Sequence, residues 1–363
     1  MTNTTAATGL TVQQWDDKAF KESLNANIFK PFVGTNTNSV IQVNEDLTKK
    51  KGNKFTFALR NKLTGAGVTG NSTLEGNEEA LSTRSFFIEV DQYRNAVLVP
   101  VLEEQKSAIP LRNEARDALI DWKMEKDRDK YIDALGSING VDFDTASEGQ
   151  RDAWLTDNAD RVLFGATVGN LVSGDMSASL LTIDNTADKL TSDALSLMKR
   201  LAKTANPRIG PIKAREGMAT SDSFVLFANS LQIRDLVTDA AFVQANREAR
   251  MRGKKNPLFT GADYVWDNIA IYEVEDIPVI TGEGAGGIDV AGAYLCGRQA
   301  IGQAVAMRWE TKEEDFDYGD KQGVAVRTIY EIEKMIFGSG SGDTDDLKDH
   351  GVFTGYFAAV ADA

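Results

Sequence analysis

From Ser107 to Leu135 no glycine breaks a helical spacing of apolar residues, and this stretch narrows what the chain can fold into more than any other. Leu111, Ala115, Leu119 and Trp122 fall on one face, and Ile132 and Leu135 resume the stripe after the almost wholly charged run Lys123–Lys130. Ser107 stands where an N-cap is needed, Pro110 fits the tolerated first turn, and Gly136 is placed to end the helix. At about 1.5 Å rise per residue, such a helix spans about 40 Å. Its length, thin apolar stripe and charged middle suit an elongated molecule better than a sphere.

Ahead of the helix, residues 53–99 predict a long β-hairpin. Phe55, Phe57 and Leu59 alternate with Lys54, Thr56 and Arg60, the period of a strand with one buried face. On the return, Phe86, Ile88 and Val90 share one face, with Phe87, Glu89 and Asp91 on the other. The connection from Thr64 to Ala80 carries Gly65, Gly67, Gly70 and Gly76, and unstructured loops of that length are usually functional. Residues 1–52 are polar, rich in Thr and Asn, and end in Lys49-Lys50-Lys51. Trp15, Phe20, Leu24, Ile28 and Phe29 have the spacing of one short amphipathic helix; the rest reads as an extended arm too polar to fold alone.

After the helix, residues 137–190 are rich in Gly, Asp, Ser and Asn and read as loops with short elements. Leu190 and Leu195 flank Thr191 as a staple around an N-cap, opening a helix that Asn206-Pro207 ends. Ser223–Ala228, Trp266–Tyr272, Tyr294–Met307 and Gly323–Phe337 are strand-like, and the unbroken apolar run Phe224–Phe227 predicts a strand covered on both faces. The whole is an α+β pattern.

Catalytic chemistry finds few side chains to work with. The one histidine, His350, lies in a Gly- and Asp-rich tail, which removes multi-histidine metal sites and, unless that tail folds into a core, Ser-His and Cys-His dyads. The one cysteine, Cys296, sits in apolar Ala293–Gly297 and reads as a small buried hydrophobe. Gly282–Gly287 matches a dinucleotide fingerprint, but Ile288–Gly292 after it is strand-like, Glu283 repels phosphate, and a flexible turn fits better. Glu313–Asp320 resembles a calcium loop until Val326 falls where a bidentate Glu is required. No catalytic, cofactor-binding or metal residues are expected. Nothing approaches a membrane span or a signal peptide. A formal charge of −14 confines any basic face to a local patch, of which Arg247, Arg250, Arg252, Lys254 and Lys255 form the densest.

The residues in and after that patch carry a resemblance. Arg247-Glu248-Ala249-Arg250, then Asn256-Pro257-Leu258-Phe259-Thr260-Gly261, then Val265-Trp266-Asp267-Asn268-Ile269, resembles the N4-like major capsid proteins of tailed bacteriophages. Leu295–Ala300 and Asp317-Tyr318-Gly319 are similar to the same family's closing motifs, in order, so the likeness covers roughly residues 220–337. The insert 137–190 and the tail 338–363 depart from typical members. The resemblance implies the Hong Kong 97-type capsid fold and no catalysis. On that plan residues 1–52 are an N-terminal arm and 53–100 an extended loop. Residues 101–199 are a peripheral domain holding spine helix 107–135 and polar insert 137–190. An axial domain takes 200–305, return strands 306–340, and a C-terminal tail 341–363.

Closure about fivefold and sixfold axes needs non-identical complementary patches on one subunit. The expected contacts are Gly65, Gly67, Gly70 and Glu75 on the loop, and Arg250, Arg252, Lys254, Lys255, Asn256, Pro257 and Phe259 in the basic segment. Expected partners are copies of the chain in hexamers and pentamers, a separate scaffolding protein, a portal, a decoration protein in some shells, and packaged double-stranded DNA held without sequence-specific binding; no membrane is expected. The expected place is the virion capsid, built in the host cytoplasm. Three rivals remain: an encapsulin-like compartment of the same fold, a β-rich carbohydrate-active enzyme using paired carboxylates, and a tail or adhesion protein.

Overall fold

The computed structural model describes residues 27–48, 52–63, 65–213, 222–250, 264–339 and 342–361. They form two bodies. Asn27 aside, the first comprises Gln92–Asp127 and Met307–Ile329; the second comprises Ile28–Asp91, Arg128–Ala306 and Tyr330–Ala363. The long helix Leu111–Gly136 and the strands Ile301–Phe316 and Lys321–Lys334 supply residues to both.

In the first body the helix packs Leu119 against Val324 and Val326, with Val97, Trp122 and Trp309 around them. The helix starts later than its spacing predicts. A separate helix, Val101–Lys106, precedes it, and Ser107 closes that one, its N–H reaching the Glu103 and Glu104 carbonyls. Pro110 explains the break: it lacks an N–H and pushes Ile109 out of helical backbone. Ser107 therefore caps an end, not a beginning. The predicted terminator, Gly136, is the last helical residue.

The second body is built on an eight-stranded sheet. Its path runs Val162–Phe164, Val352–Ala358, Val290–Cys296, Asp222–Ala228, Ile269–Glu273, Tyr264–Trp266, with two short strands attached. Phe224–Phe227 is buried on both faces, as its unbroken apolar run predicts. One face meets Leu195, Met198 and Ala202 of helix Ser192–Thr204, with Ile233, Leu236 and Phe242. On the other, Phe227 meets Phe29 at 4.8 Å between ring centroids and Phe32 at 5.4 Å. Thr191 caps the helix by accepting from the Ala194 N–H, with Leu190 and Leu195 both buried.

Four further expectations change. The described end of the arm is folded: Phe29, Val40 and Ile41 are core, and Ile41–Asn44 pairs in parallel with Ile301–Ala304. The insert holds helix Glu148–Asn158, opened by a Ser147–Gln150 capping box, and its Trp154, Leu155, Phe164, Met176 and Leu180 make a core of their own. The strand Trp266–Tyr272 is a hairpin, because Asp267 and Asn268 take φ of 43° and 59° and turn the chain. The tail is not an appendage: Val352–Ala358 is wholly buried inside the sheet, antiparallel to Val290–Cys296 and parallel to Val162–Phe164. Trp15, Phe20 and Leu24 lie outside the described residues.

Candidate assembly surfaces

The hairpin forms as its alternation predicts. Lys54–Arg60 and Thr83–Glu89 pair antiparallel with Phe57 opposite Phe86, and inward Phe57 and Ile88 are buried while outward Phe87 is 53% exposed. Its root is fastened twice. Phe57 and Ile88 pack with Ala304, Met335 and Phe337, and only a glycine fits at 302, where a Cβ would stand 2.8 Å from Met335 Sδ and 2.9 Å from Ile88 Cδ1. Arg84 donates to the Gly338 carbonyl, and the Ser85 N–H and hydroxyl both donate to Asp343 at 2.7 Å, which holds that carboxyl below its ordinary range.

Beyond the root nothing packs. The described residues from Lys62 to Ser82 are exposed, apart from half-buried Val68, and none is in a helix or strand. Gly67, Gly70 and Gly76 take φ of 71°, 69° and 84° with nothing near their Cβ positions. Leu63, Leu74 and Leu81 stand 53%, 63% and 60% exposed. Leucines spaced along an unsupported loop are an apolar surface without an intramolecular partner. Gly65, Gly67, Gly70 and Glu75 are thus together on one exposed loop.

The basic segment is only partly visible. Arg250 ends helix Ala240–Arg250, and Arg252, Lys254, Lys255, Asn256, Pro257 and Phe259 lie outside the described residues. The acidic stretch is less free than its composition implies. Glu313 pairs with Arg112 and Arg116 from the long helix, and Glu310 with Arg327 at 2.9 Å and Lys312 at 2.7 Å.

Sequence reading missed two polar features. Lys334 and Asp349 form an ion pair of 2.7 Å with both side chains 1% exposed, and Trp154 Nε1 donates to the same carboxylate. Near the hairpin root, Glu89, Asp133, Glu331 and Glu333 line a cavity of about 320 Å³ with Lys130. Lys130 pairs with Glu331 at 2.8 Å. Burial first, then Glu331, pushes the Glu333 carboxyl up to about 7 against an ordinary 4.5, while Lys130 pulls the other way and Glu89 adds repulsion.

That shift has a sign. Between pH 4.5 and about 7 the folded chain holds a proton at Glu333 that the unfolded chain has lost. The stabilisation is complete below pH 4.5 and is lost as pH rises through 7. Glu333→Gln should leave stability near wild type at pH 5 and raise it by about 2–3 kcal/mol at pH 8, allowing for screening. Urea unfolding at the two pH values checks this, and equal curves at pH 8 would refute it.

The residues with catalytic potential are occupied structurally. His350 packs edge-on to Phe337 at 5.2 Å, and burial, with Arg161 and Arg298, pulls its pKa down to about 4. Cys296 is fully buried, which pushes its thiol up. After Gly282–Gly287 comes the strand Val290–Cys296, so no helix N-terminus faces that turn. Glu148, Asp152 and Asp175 converge, but their oxygens accept from Ser177, Met176 and Ala178 at the start of helix Met176–Leu180.

A body with buried polar groups satisfied in pairs and a long unsupported hairpin defines a structural subunit made for contact with others. A family model described as phage capsid protein matches residues 3–361. The major capsid protein of Pseudomonas phage KPP25 is 28% identical over 376 residues, covering 95% of this chain and 94% of that protein. Among solved structures, the capsid asymmetric unit of cyanophage Pam1 aligns at 30% identity and TM-score 0.86, and the capsid of Ralstonia phage GP4 at 24% and 0.78, each covering 100% of both chains. The chain belongs to the phage capsid protein family. It has the Hong Kong 97-type α+β fold and is a major capsid protein of a tailed bacteriophage, a multimeric-shell component of the virion and not an enzyme. These relatives carry the wider family, not its N4-like branch, and favour neither the compartment nor the glycosidase reading.

Proposed function

We propose that this subunit assembles in the host cytoplasm as hexamers and pentamers that close into an icosahedral shell around double-stranded DNA. The carrying observation is the hairpin, anchored at its root and bare at its leucine-bearing tip. In this reading residues 1–52 and 53–100 reach neighbouring subunits, 101–199 and 306–340 form the periphery, and 200–305 pack about the local axis. A net charge of −14 keeps DNA from adhering to the wall, so packaging needs no sequence-specific contact. Residues 1–52 are too few for a fused scaffold, which makes scaffold and portal separate proteins. Expression of the chain alone should give few or aberrant particles by negative-stain microscopy, and addition of the scaffold should give uniform procapsids. Uniform procapsids from the single gene would contradict the separate scaffold; no particles with scaffold present would contradict the shell.

Arg250, Arg252, Lys254 and Lys255, with Asn256, Pro257 and Phe259, make the second contact, against acidic groups of a neighbour. Exposed ion pairs contribute about 0–1 kcal/mol each and are screened over about 8–10 Å, so their sum shows best at low salt. Arg250→Glu with Arg252→Glu should slow assembly several-fold in light scattering at low salt and much less at high salt. Unchanged low-salt assembly would make the segment a solvated face.

A further inference from the structure

We propose that an acid-rimmed aromatic pocket in the second body receives an arginine side chain from a second copy of this chain. The inference rests on the shell reading and adds a specific socket to it. The pocket holds about 240 Å³, with Tyr294, Tyr356 and Phe143 among its floor and Asp133, Asp142 and Asp144 at its mouth. No lysine or arginine lines it.

Two observations point to a ligand. Tyr294 and Tyr356 are 6% and 3% exposed, yet neither phenol oxygen has a hydrogen-bond partner among the described residues. Unpaired polar groups at that depth are uncommon and costly. Burial holds both phenols far above their ordinary range, so they stay neutral, each with an acceptor lone pair and a donor proton. The chain also makes room for them: a Cβ at 292 would stand 2.6 Å from the Tyr294 hydroxyl, and one at 136 would stand 3.1 Å from it.

Chemistry selects the occupant. Three exposed carboxylates above an aromatic floor favour a cation, and a planar guanidinium can stack on rings while donating to phenol and carboxylate oxygens together. Phe143 already shows the compatibility, with the Arg151 guanidinium 4.4 Å from its ring centroid and donating to its carbonyl. Within one subunit Arg151 is committed there and to Glu148. A shell of identical copies supplies the remaining arginines at high local concentration.

Carbodiimide-driven labelling of carboxylates with glycine ethyl ester, on full-length protein, tests this in free subunits and in shells. Asp142 and Asp144 should label at least fivefold less in shells. Asp142→Asn with Asp144→Asn should keep the subunit's melting temperature and slow assembly about tenfold. Millimolar N-acetyl-arginine amide should slow wild-type assembly and leave the variant unaffected. Equal labelling in well-formed shells would overturn the socket while leaving the shell reading intact. So would protection seen only while scaffold is present, or a variant that assembles at the wild-type rate. Failure of wild type to form any shell would overturn both.

Discussion

Lys334→Met should destabilise the subunit by about 3–5 kcal/mol, the cost of leaving a buried carboxylate without its cation. Asp349 is 1% exposed and would keep only the 3.4 Å hydrogen bond from Trp154 Nε1 and its surroundings to offset the lost 2.7 Å ion pair. Lys334 also lies 5.2 Å from the Trp154 ring centroid, so the substitution removes a cation–π contact with the same helix. The pair ties strand Lys321–Lys334 to strand Asp345–Asp349, which Asn158 holds as well by accepting from the Asp349 N–H at 2.9 Å. Urea unfolding checks the size. Lys334→Met with Asp349→Leu should recover most of the loss, because an apolar pair of similar volume is often as stable as a buried ion pair. A single variant within 1 kcal/mol of wild type would show that the carboxylate finds water or a proton at little cost.

Replacing Gly65–Asn77 by a two-residue turn should abolish closed shells and barely move subunit stability. The two effects separate because stability and contact reside at opposite ends of the hairpin. Phe57 and Ile88 at the root are buried with Ala304, Met335 and Phe337, and the deletion leaves them in place. The deleted residues include Leu74, 63% exposed, and three glycines with nothing at their Cβ positions, so no intramolecular packing is lost. A shorter connection also costs less closure entropy, by a fraction of a kcal/mol. Shell yield by electron microscopy should fall at least tenfold, with the melting temperature within about 2 °C. Normal shells from the shortened chain would remove the hairpin from the assembly machinery.

Legibility tracked the range of the interaction. The hairpin strands were readable because Phe55-Thr56-Phe57 and Phe86-Phe87-Ile88 alternate, and period two is a local property. The Thr191 cap was readable for the same reason. The helix start was misplaced because Ser107 and Pro110 both suit a first turn, and competition with helix Val101–Lys106 decided the outcome. The insert looked like loops because its polar surface dominates its composition. Its apolar minority, Trp154, Leu155, Phe164, Met176 and Leu180, becomes a core only when gathered.

By itself the sequence determined the local periods, the caps, and the poverty of catalytic groups, since one histidine and one cysteine limit chemistry whatever the fold. It also set which face Lys334 takes: strand Lys321–Lys334 alternates with Val324, Val326, Thr328, Tyr330, Ile332 and Lys334 all buried. Only the tertiary structure decided what meets that lysine. Asp349 reaches it because Val352–Ala358 enters the sheet between Val290–Cys296 and Val162–Phe164, strands far away in the chain. The raised pKa of Glu333 and the unpaired phenols of Tyr294 and Tyr356 are likewise tertiary. Burial and field depend on neighbours brought together by folding, and a one-dimensional pattern does not record them.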